Sequence, residues 1–299
     1  MKTLLIAFAT FVATAAAVPV TAQTLDKIRS SGSITMGVRD ASVPMSYMPD
    51  GEKPVGFQVE ICQRIIAAAQ KELKLPKINV RYQTVTSQNR IPLVQNGTVD
   101  LECGSTTNSL ARQKDVAFAL TTYVEEVRMA VRKTSGIRSV KDLEGKTVVT
   151  TTGTTSVQHL RKYARASGLD IKDVLGKDHA ESFLMLEMGR ADAWVIDAGL
   201  LSATIATSKN PDDFVVVGEV LNVEPIAIMM RKDDPAFKAL ADATIRDLIR
   251  SGEMKKLWDK WFIGPIPPRG VRLNMPPPET LQRLWADPSD LPMESLAAK

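Results

Sequence analysis

The chain has 299 residues, with 38 Lys and Arg against 34 Asp and Glu, two His and two Cys. That length holds one large domain or two ordinary ones. The net charge of +4 is dispersed among residues of both signs, without the Lys/Arg run that marks a nucleic-acid surface, so no nucleic-acid partner is expected.

The first residues speak for export. Met1 and Lys2 give a short positive start, Leu4 to Val20 is an apolar, Ala-rich run, and Val20-Thr21-Ala22 places small residues before a cut at Gln23. This is the order of a secretory signal, here residues 1–22. A membrane anchor is the competing reading, but the run sits at the lower limit for crossing a ~30 Å hydrocarbon core. No Cys near the cut could accept a lipid. The remaining residues carry no second long apolar run, so a soluble, monomeric periplasmic protein is expected. Cys62 and Cys103 would then meet an oxidising compartment, where they pair or stay as two buried thiols. The compartment favours pairing, and closing so long a loop stabilises by about 4 kcal/mol in the chain-entropy account.

Short β-branched runs alternate with helical stripes. Ser33 to Val38 reads as a strand. Val59, Cys62, Ile65, Ile66, Ala69 and Leu73 share one helical face, and Ile78 to Tyr82 is the next strand. Arg90 to Val94 starts a short helix with Pro92 in its first turn, Asn96-Gly97 turns, and Val99 to Leu101 is again a strand. A second unit follows the same plan. Ser139 to Leu143 is a capped short helix, Thr147 to Thr150 a strand, and a helix runs from Val157. Ala191 to Ile196 is a strand, Leu200 to Thr207 a helix, and Phe214 to Val217 a strand. The chain resumes with Ile226 to Met230 and one long helix from Pro235 to Trp261. Such alternation argues for two α/β domains with largely parallel sheets. The expected organisation is a first lobe of residues 23–122 and 226–264 and a second of residues 128–217. Hinge segments at 123–127 and 218–225 join them, and a Pro-rich extension, 265–299, packs over the surface.

Candidate binding residues cluster after strand ends, where open α/β sheets bind ligands. Arg39 follows the first strand. Ser87 and Arg90 bracket a helix start, Ser105 and Thr107 follow the strand ending near Glu102, and Arg112 comes five residues later. Arginine suits an anion because its planar fork grips a carboxylate with two parallel hydrogen bonds. In the second unit, Thr151 to Ser156 offers hydroxyls and free amides at a helix start. His179 lies in the loop Lys177 to Ala180, and Asp197 ends a strand, where it could pair with an ammonium group. Each has a plainer reading: a solvated surface arginine, a threonine turn, an aspartate capping the next helix. His159 reads as an ordinary helix residue. Convergence of the set on facing strand ends favours a ligand site. No metal-ligand cluster, nucleophile–His–acid motif or phosphate-binding loop is present in the sequence, so no metal or cofactor is expected.

The run Thr86-Ser87-Gln88-Asn89-Arg90-Ile91-Pro92-Leu93-Val94-Gln95-Asn96-Gly97-Thr98, followed by Glu102-Cys103-Gly104-Ser105-Thr106-Thr107-Asn108, closely resembles the glutamate/aspartate-binding proteins of bacterial ABC importers. Further matches are Thr24 to Ile28, Ser42-Val43-Pro44, Gly153 to Ser156, Lys177-Asp178-His179, Arg231 to Pro235 and Trp258 to Phe262. The resemblance implies a two-lobed periplasmic-binding-protein fold of type II, with two α/β domains joined by a two-segment hinge. It implies that Arg112 holds the α-carboxylate of L-glutamate or L-aspartate. Ser105 and Thr107 would meet the amino-acid backbone, Thr155 would give an amide from the second lobe, and Asp197 would take the ammonium. Arg39, Ser87, Arg90 and His179 would recognise the side-chain carboxylate. It also suggests the Cys62–Cys103 disulfide. Departures include Ala119, Ile226, and Glu125-Glu126, which adds negative charge near the hinge.

A charge count agrees with an acidic ligand. Arg112 and Asp197 satisfy an amino-acid head, which leaves Arg39, Arg90 and a charged His179 for a second carboxylate. A neutral side chain would leave buried cations underpaired, at a cost of several kcal/mol. The expected action is hinge closure over the ligand, then delivery to an inner-membrane permease whose ATPase is another chain. The alternative is a dehydratase or lyase of small carboxylic acids on the same scaffold, with Asp197 and His179 as acid and base.

Overall fold

The computed structural model describes residues 23–296, so the expected export signal, residues 1–22, lies outside the described residues. The chain opens with α1 (Thr24–Ser31), β1 (Ser33–Val38), a hairpin of β2 (Ala41–Ser42) and β3 (Ser46–Tyr47), α2 (Phe57–Glu72), β4 (Asn79–Thr84), α3 (Arg90–Gln95), β5 (Leu101–Glu102) and β6 (Val116–Phe118). It crosses along β7 (Tyr123–Arg132) to β8 (Thr147–Thr151), α4 (Thr155–Ser167), β9 (Lys172–Gly176), α5 (His179–Glu187), β10 (Ala193–Asp197) and α6 (Ala198–Thr207). It returns along β11 (Phe214–Ile226) to β12 (Met229–Arg231), α7 (Pro235–Arg250) and α8 (Glu253–Trp258). A second hairpin, β13 (Pro265–Ile266) and β14 (Val271–Arg272), precedes α9 (Glu279–Ala286) and α10 (Met293–Leu296).

Two five-stranded sheets anchor two lobes. The first has the order β4-β1-β5-β12-β6, with β1 parallel to β4 and β5 and β12 antiparallel to β5 and β6. The second has the order β11-β7-β10-β8-β9, with β8 parallel to β9 and β10. Strands covered by helices on both faces read as continuous apolar runs. Ile34, Met36 and Val38 in β1 and Ala193 to Ile196 in β10 are all buried. The two crossings run side by side. Tyr123 to Val127 pairs antiparallel with Ile226 to Asn222, and after a register shift Met129 to Arg132 pairs with Val217 to Phe214.

Three expectations fail. The helix expected from Pro235 to Trp261 breaks at Ser251-Gly252, because Gly252 takes a left-handed conformation (φ 77°) that ends one helix and starts the next. His179 is the first residue of α5, capped by the Asp178 side chain, and not part of a loop. The tail adds core as well as covering the surface. Leu281 is fully buried and Trp285 packs edge-on against Trp258 at 5.8 Å, which stacks on Phe262 at 4.0 Å and Tyr123 at 5.3 Å. The tail also ties down the loop after β5: the Met293 amide donates to Asn108 O and Asn108 Nδ2 donates to Asp290 O, at 2.9 and 2.8 Å.

Cys62 of α2 and Cys103 at the end of β5 form a disulfide across 41 residues of sequence. Closing a loop of that length stabilises by about 4 kcal/mol in the chain-entropy account. The bridge holds the start of the Gly104–Thr107 loop against α2.

Candidate ligand site between the lobes

A small cavity closes between the lobes. Ser87, Ser105 and Thr107 line it from the first lobe, and Thr154, Thr155, His179, Ile196 and Asp197 from the second. Its free volume of about 10 Å³ has room for one water-sized sphere, so the lobes stand closed on each other. Gly153, in a left-handed turn (φ 81°), lets this happen: a Cβ there would stand 2.7 Å from the backbone of Ser87 and Gln88 in the other lobe.

The three arginines stand just behind the cavity wall, each bonded to a residue that lines it. Arg39 Nη2 donates to Ser87 Oγ at 2.9 Å, Arg90 Nη1 to Ser105 O at 3.2 Å, and Arg112 Nη1 to Thr107 O at 2.9 Å. The first hairpin steers Arg39, whose amide donates to Ser46 Oγ at 2.9 Å. Gly104 leaves the Arg39 stem its space, since a Cβ there would meet Glu102 Oε1 at 2.2 Å and Arg39 Cγ at 2.8 Å. Arg112 also reaches across the cleft, with Nη2 donating to Gly153 O at 3.3 Å. All three are buried, yet Arg39 Nη1 and Arg90 Nε have no protein partner among the described residues. Buried donors without acceptors are rare and point to a ligand or water.

Burial, and next the field of Arg90, push Arg39 down to about 10 and Arg112 down to about 9. Burial likewise lowers Arg90, against the field of Glu102. Arg39 and Arg112 stay charged at neutral pH. His179 does not: burial first, then Arg39 and Arg90, hold it well below the usual imidazole range. The charged His179 of the sequence count is therefore corrected to a neutral one. Its Nε2 lies 3.4 Å from Arg39 Nη2 and its Nδ1 3.0 Å from Thr151 Oγ1, so Nε2 accepts and Nδ1 carries the proton. Asp197 is pushed up to about 7, by burial and then by Glu224, against three arginines. It stands at the N-cap of α6 but makes no side-chain capping bond, which removes the plainer reading of that residue.

Three carboxyl groups alter the sequence count further. Glu102 is fully buried, accepts from Thr106 Oγ1 at 2.6 Å, and acts on Arg39 and Arg90 through its field. Glu224, in the return crossing, accepts from Thr107 Oγ1 at 2.5 Å and Thr155 Oγ1 at 2.8 Å, and lies 2.7 Å from His159 Nε2. His159, itself partly exposed, is thus paired with a buried carboxylate and is not an ordinary helix residue. Burial alone would raise Glu224, but the bonds from His159, Thr107 and Thr155 outweigh it and lower its pKa. Glu125 is buried in the first crossing, where burial, and then Asp197, hold its carboxyl well above the usual range, while it accepts from the Gly199 amide at 3.0 Å. Glu102 and Glu224 lay in sequence next to recognised motifs, but nothing local to either marked it as buried.

Two α/β lobes closed on a polar, arginine-backed cavity define a two-lobed solute-binding protein. Residues 34–264 match the model of the bacterial extracellular solute-binding proteins, family 3, and the chain belongs to that family. It is 47% identical over 274 residues to the L-glutamate/L-aspartate-binding protein of Pseudomonas aeruginosa, covering 91% of each chain. It is 42% identical to the glutamate/aspartate import solute-binding protein of Escherichia coli, covering 92% of this chain and 91% of that one. Among solved structures, a mutant of ArgBP from T. maritima superimposes with a TM-score of 0.70 at 30% identity, over 79% of this chain and 98% of that one. A substrate-binding protein of an ABC uptake transporter from Streptococcus pneumoniae gives 0.72 at 22% identity, over 79% and 95%, and speaks for the fold alone. The fold is the type II periplasmic-binding-protein fold.

Proposed function

We propose that this protein is a periplasmic carrier that closes over L-glutamate or L-aspartate and presents it to the permease of an ABC importer. The relatives reported above are named as binding proteins, and the dehydratase or lyase alternative finds no support in them. The observation that carries the reading is the set of three buried guanidinium groups around one cavity, two of them with a donor left unpartnered.

The charges divide into two corners. Arg39 and Arg90 feel the field of Glu102, and Arg90 that of Glu224 as well, so it is their two unpartnered donors, not a surplus charge, that a side-chain carboxylate would take. Ser87, whose oxygen accepts from Arg39, has its proton free for that carboxylate, and neutral His179 holds Arg39 through Nε2. Arg112 takes the α-carboxylate, with the backbone amide of Thr155 at the start of α4 beside it, Ser105 and Thr107 meet the amino-acid backbone, and Asp197 takes the ammonium. The hinge is assigned to residues 123–127 and 218–225, between lobes of residues 23–122 with 226–264 and of residues 128–217. Ligand enters when the lobes part and is held by contacts to both when they meet.

The test is a thermal-shift screen of the common amino acids. L-glutamate and L-aspartate should raise Tm, by an amount equivalent to about 2.7 kcal/mol at 100 times Kd. L-glutamine should do much less. Equal shifts for the acid and its amide would refute the side-chain assignment.

A further inference from the structure

We propose that Glu224 is a positioning residue that fixes the hydrogen-bond polarity of Thr107 and Thr155, so that both hydroxyls meet a ligand only as acceptors. The inference rests on the amino-acid reading above and concerns how the site selects a primary ammonium.

A threonine hydroxyl has one proton to give and two lone pairs to receive with. Thr107, from the first lobe, and Thr155, the first residue of α4 in the second, both give that proton to Glu224 Oε2, at 2.5 and 2.8 Å. An ionised carboxylate has no proton to return; its other oxygen lies 2.7 Å from His159 Nε2 and 3.4 Å from Asn222 Nδ2, which itself lies 3.0 Å from that ring nitrogen. Glu224 is fully buried, so no water competes for these bonds. Thr107, Thr155 and Asp197 line the same cavity, and together they offer it acceptors. An alkylammonium brings three donors and no acceptor. A carboxylate or carbonyl at the same place would meet lone pairs with lone pairs. Freed from Glu224, either hydroxyl could rotate and donate, and the cavity would lose its preference.

The experiment compares calorimetric binding of L-glutamate and of glutarate, which has both carboxylates and no ammonium, to the mature chain and two variants. The unaltered protein should prefer L-glutamate by roughly 10⁴-fold, as expected where buried polar groups would otherwise be left unpaired. Glu224→Met, similar in size but without acceptors, should cut that preference by about tenfold or more, since each hydroxyl regains a donor mode. Removing a negative charge also favours the dianion, and Glu224→Gln separates the two effects. Its carboxamide oxygen can still take both hydroxyl protons, so the preference should stay within about threefold of the starting value. Equal weakening of both ligands in Glu224→Met would make Glu224 merely structural and overturn the proposal. So would a loss in Glu224→Gln as large as in Glu224→Met, because charge alone would then explain it. Should Glu224→Met fail to fold, the double variant Glu224→Met/His159→Leu, which removes both ends of that pair, is read for the same ratio. If the unaltered protein binds no acidic amino acid, the functional reading fails, and this one with it.

Discussion

Gly153→Ala tests closure directly. Gly153 has φ 81°, and a Cβ on it would lie 2.7 Å from the N and Cα of Gln88 and from the carbonyl carbon of Ser87, all backbone atoms of the other lobe. Two costs follow, and they fall on different states. The left-handed conformation costs an L-residue about 1–2 kcal/mol. It belongs to the local turn between β8 and α4 and is present whether the lobes are open or closed. The clash exists only when they are closed. Backbone cannot rotate away, so the lobes must stand off by several tenths of an ångström, and overpacking of this kind costs about 1–3 kcal/mol. Kd for L-glutamate should therefore rise by about 5- to 150-fold, while the ligand-free Tm falls only by the strain common to both states. Calorimetry gives the first quantity and ligand-free thermal denaturation the second. A Kd within twofold of the unaltered protein beside a lowered Tm would refute the contact as part of the binding-competent state.

Arg112→Ala should weaken every amino acid by about 100-fold or more, since it leaves an α-carboxylate without its charged partner. Titration with L-glutamate and L-glutamine together checks it, and retained tight binding of either would place the head group elsewhere. Arg39→Ala should spare glutamine and erase about tenfold of the preference for glutamate over it, read from the same two titrations. Asp197, held at about 7, must release its proton to pair with an ammonium. Because the bound form holds fewer protons, affinity should be level above about pH 7 and fall by up to tenfold per unit below it. Asp197→Asn should bind more weakly and remove that slope, as calorimetry across the range would report. Leu281→Ala should cost about 2–5 kcal/mol in denaturant unfolding, the range for a fully buried leucine, where a tail lying only on the surface would give almost nothing.

What the sequence revealed followed from how local each signal was. β1, α2 and β8 were legible because a period of 2 or 3.6 repeats within a few turns of chain. So were the site residues that follow strand ends, since the strand end itself marks them. The break at Gly252 was hidden because the apolar period continues through it in Met254, Leu257 and Trp258. The short helix holding Leu281, Leu284 and Trp285 was hidden by the prolines before it. Glu102, Glu224 and His159 were missed for a different reason: each is defined by a partner far away in sequence, 65 residues apart for His159 and Glu224. Composition cannot say that a carboxylate is buried, and the sequence count of cations over anions was too simple for that reason.

The corrected count still couples closure to the ligand, through unpaired donors and not through surplus charge. With the lobes closed, Arg39 Nη1 and Arg90 Nε are buried without a protein acceptor. Each such donor costs about 1–3 kcal/mol. Where parting the lobes opens them to water, that cost disappears. An acidic side chain that reaches them lets closure keep its gains without that cost. A neutral amide places one oxygen where two are wanted and brings its own N–H groups against guanidinium donors. Closure over the wrong ligand is therefore penalised by the same atoms that reward the right one. The first lobe's side of the cavity wall, Ser87, Ser105 and Thr107, can remain uncharged because the arginines behind it set the preference.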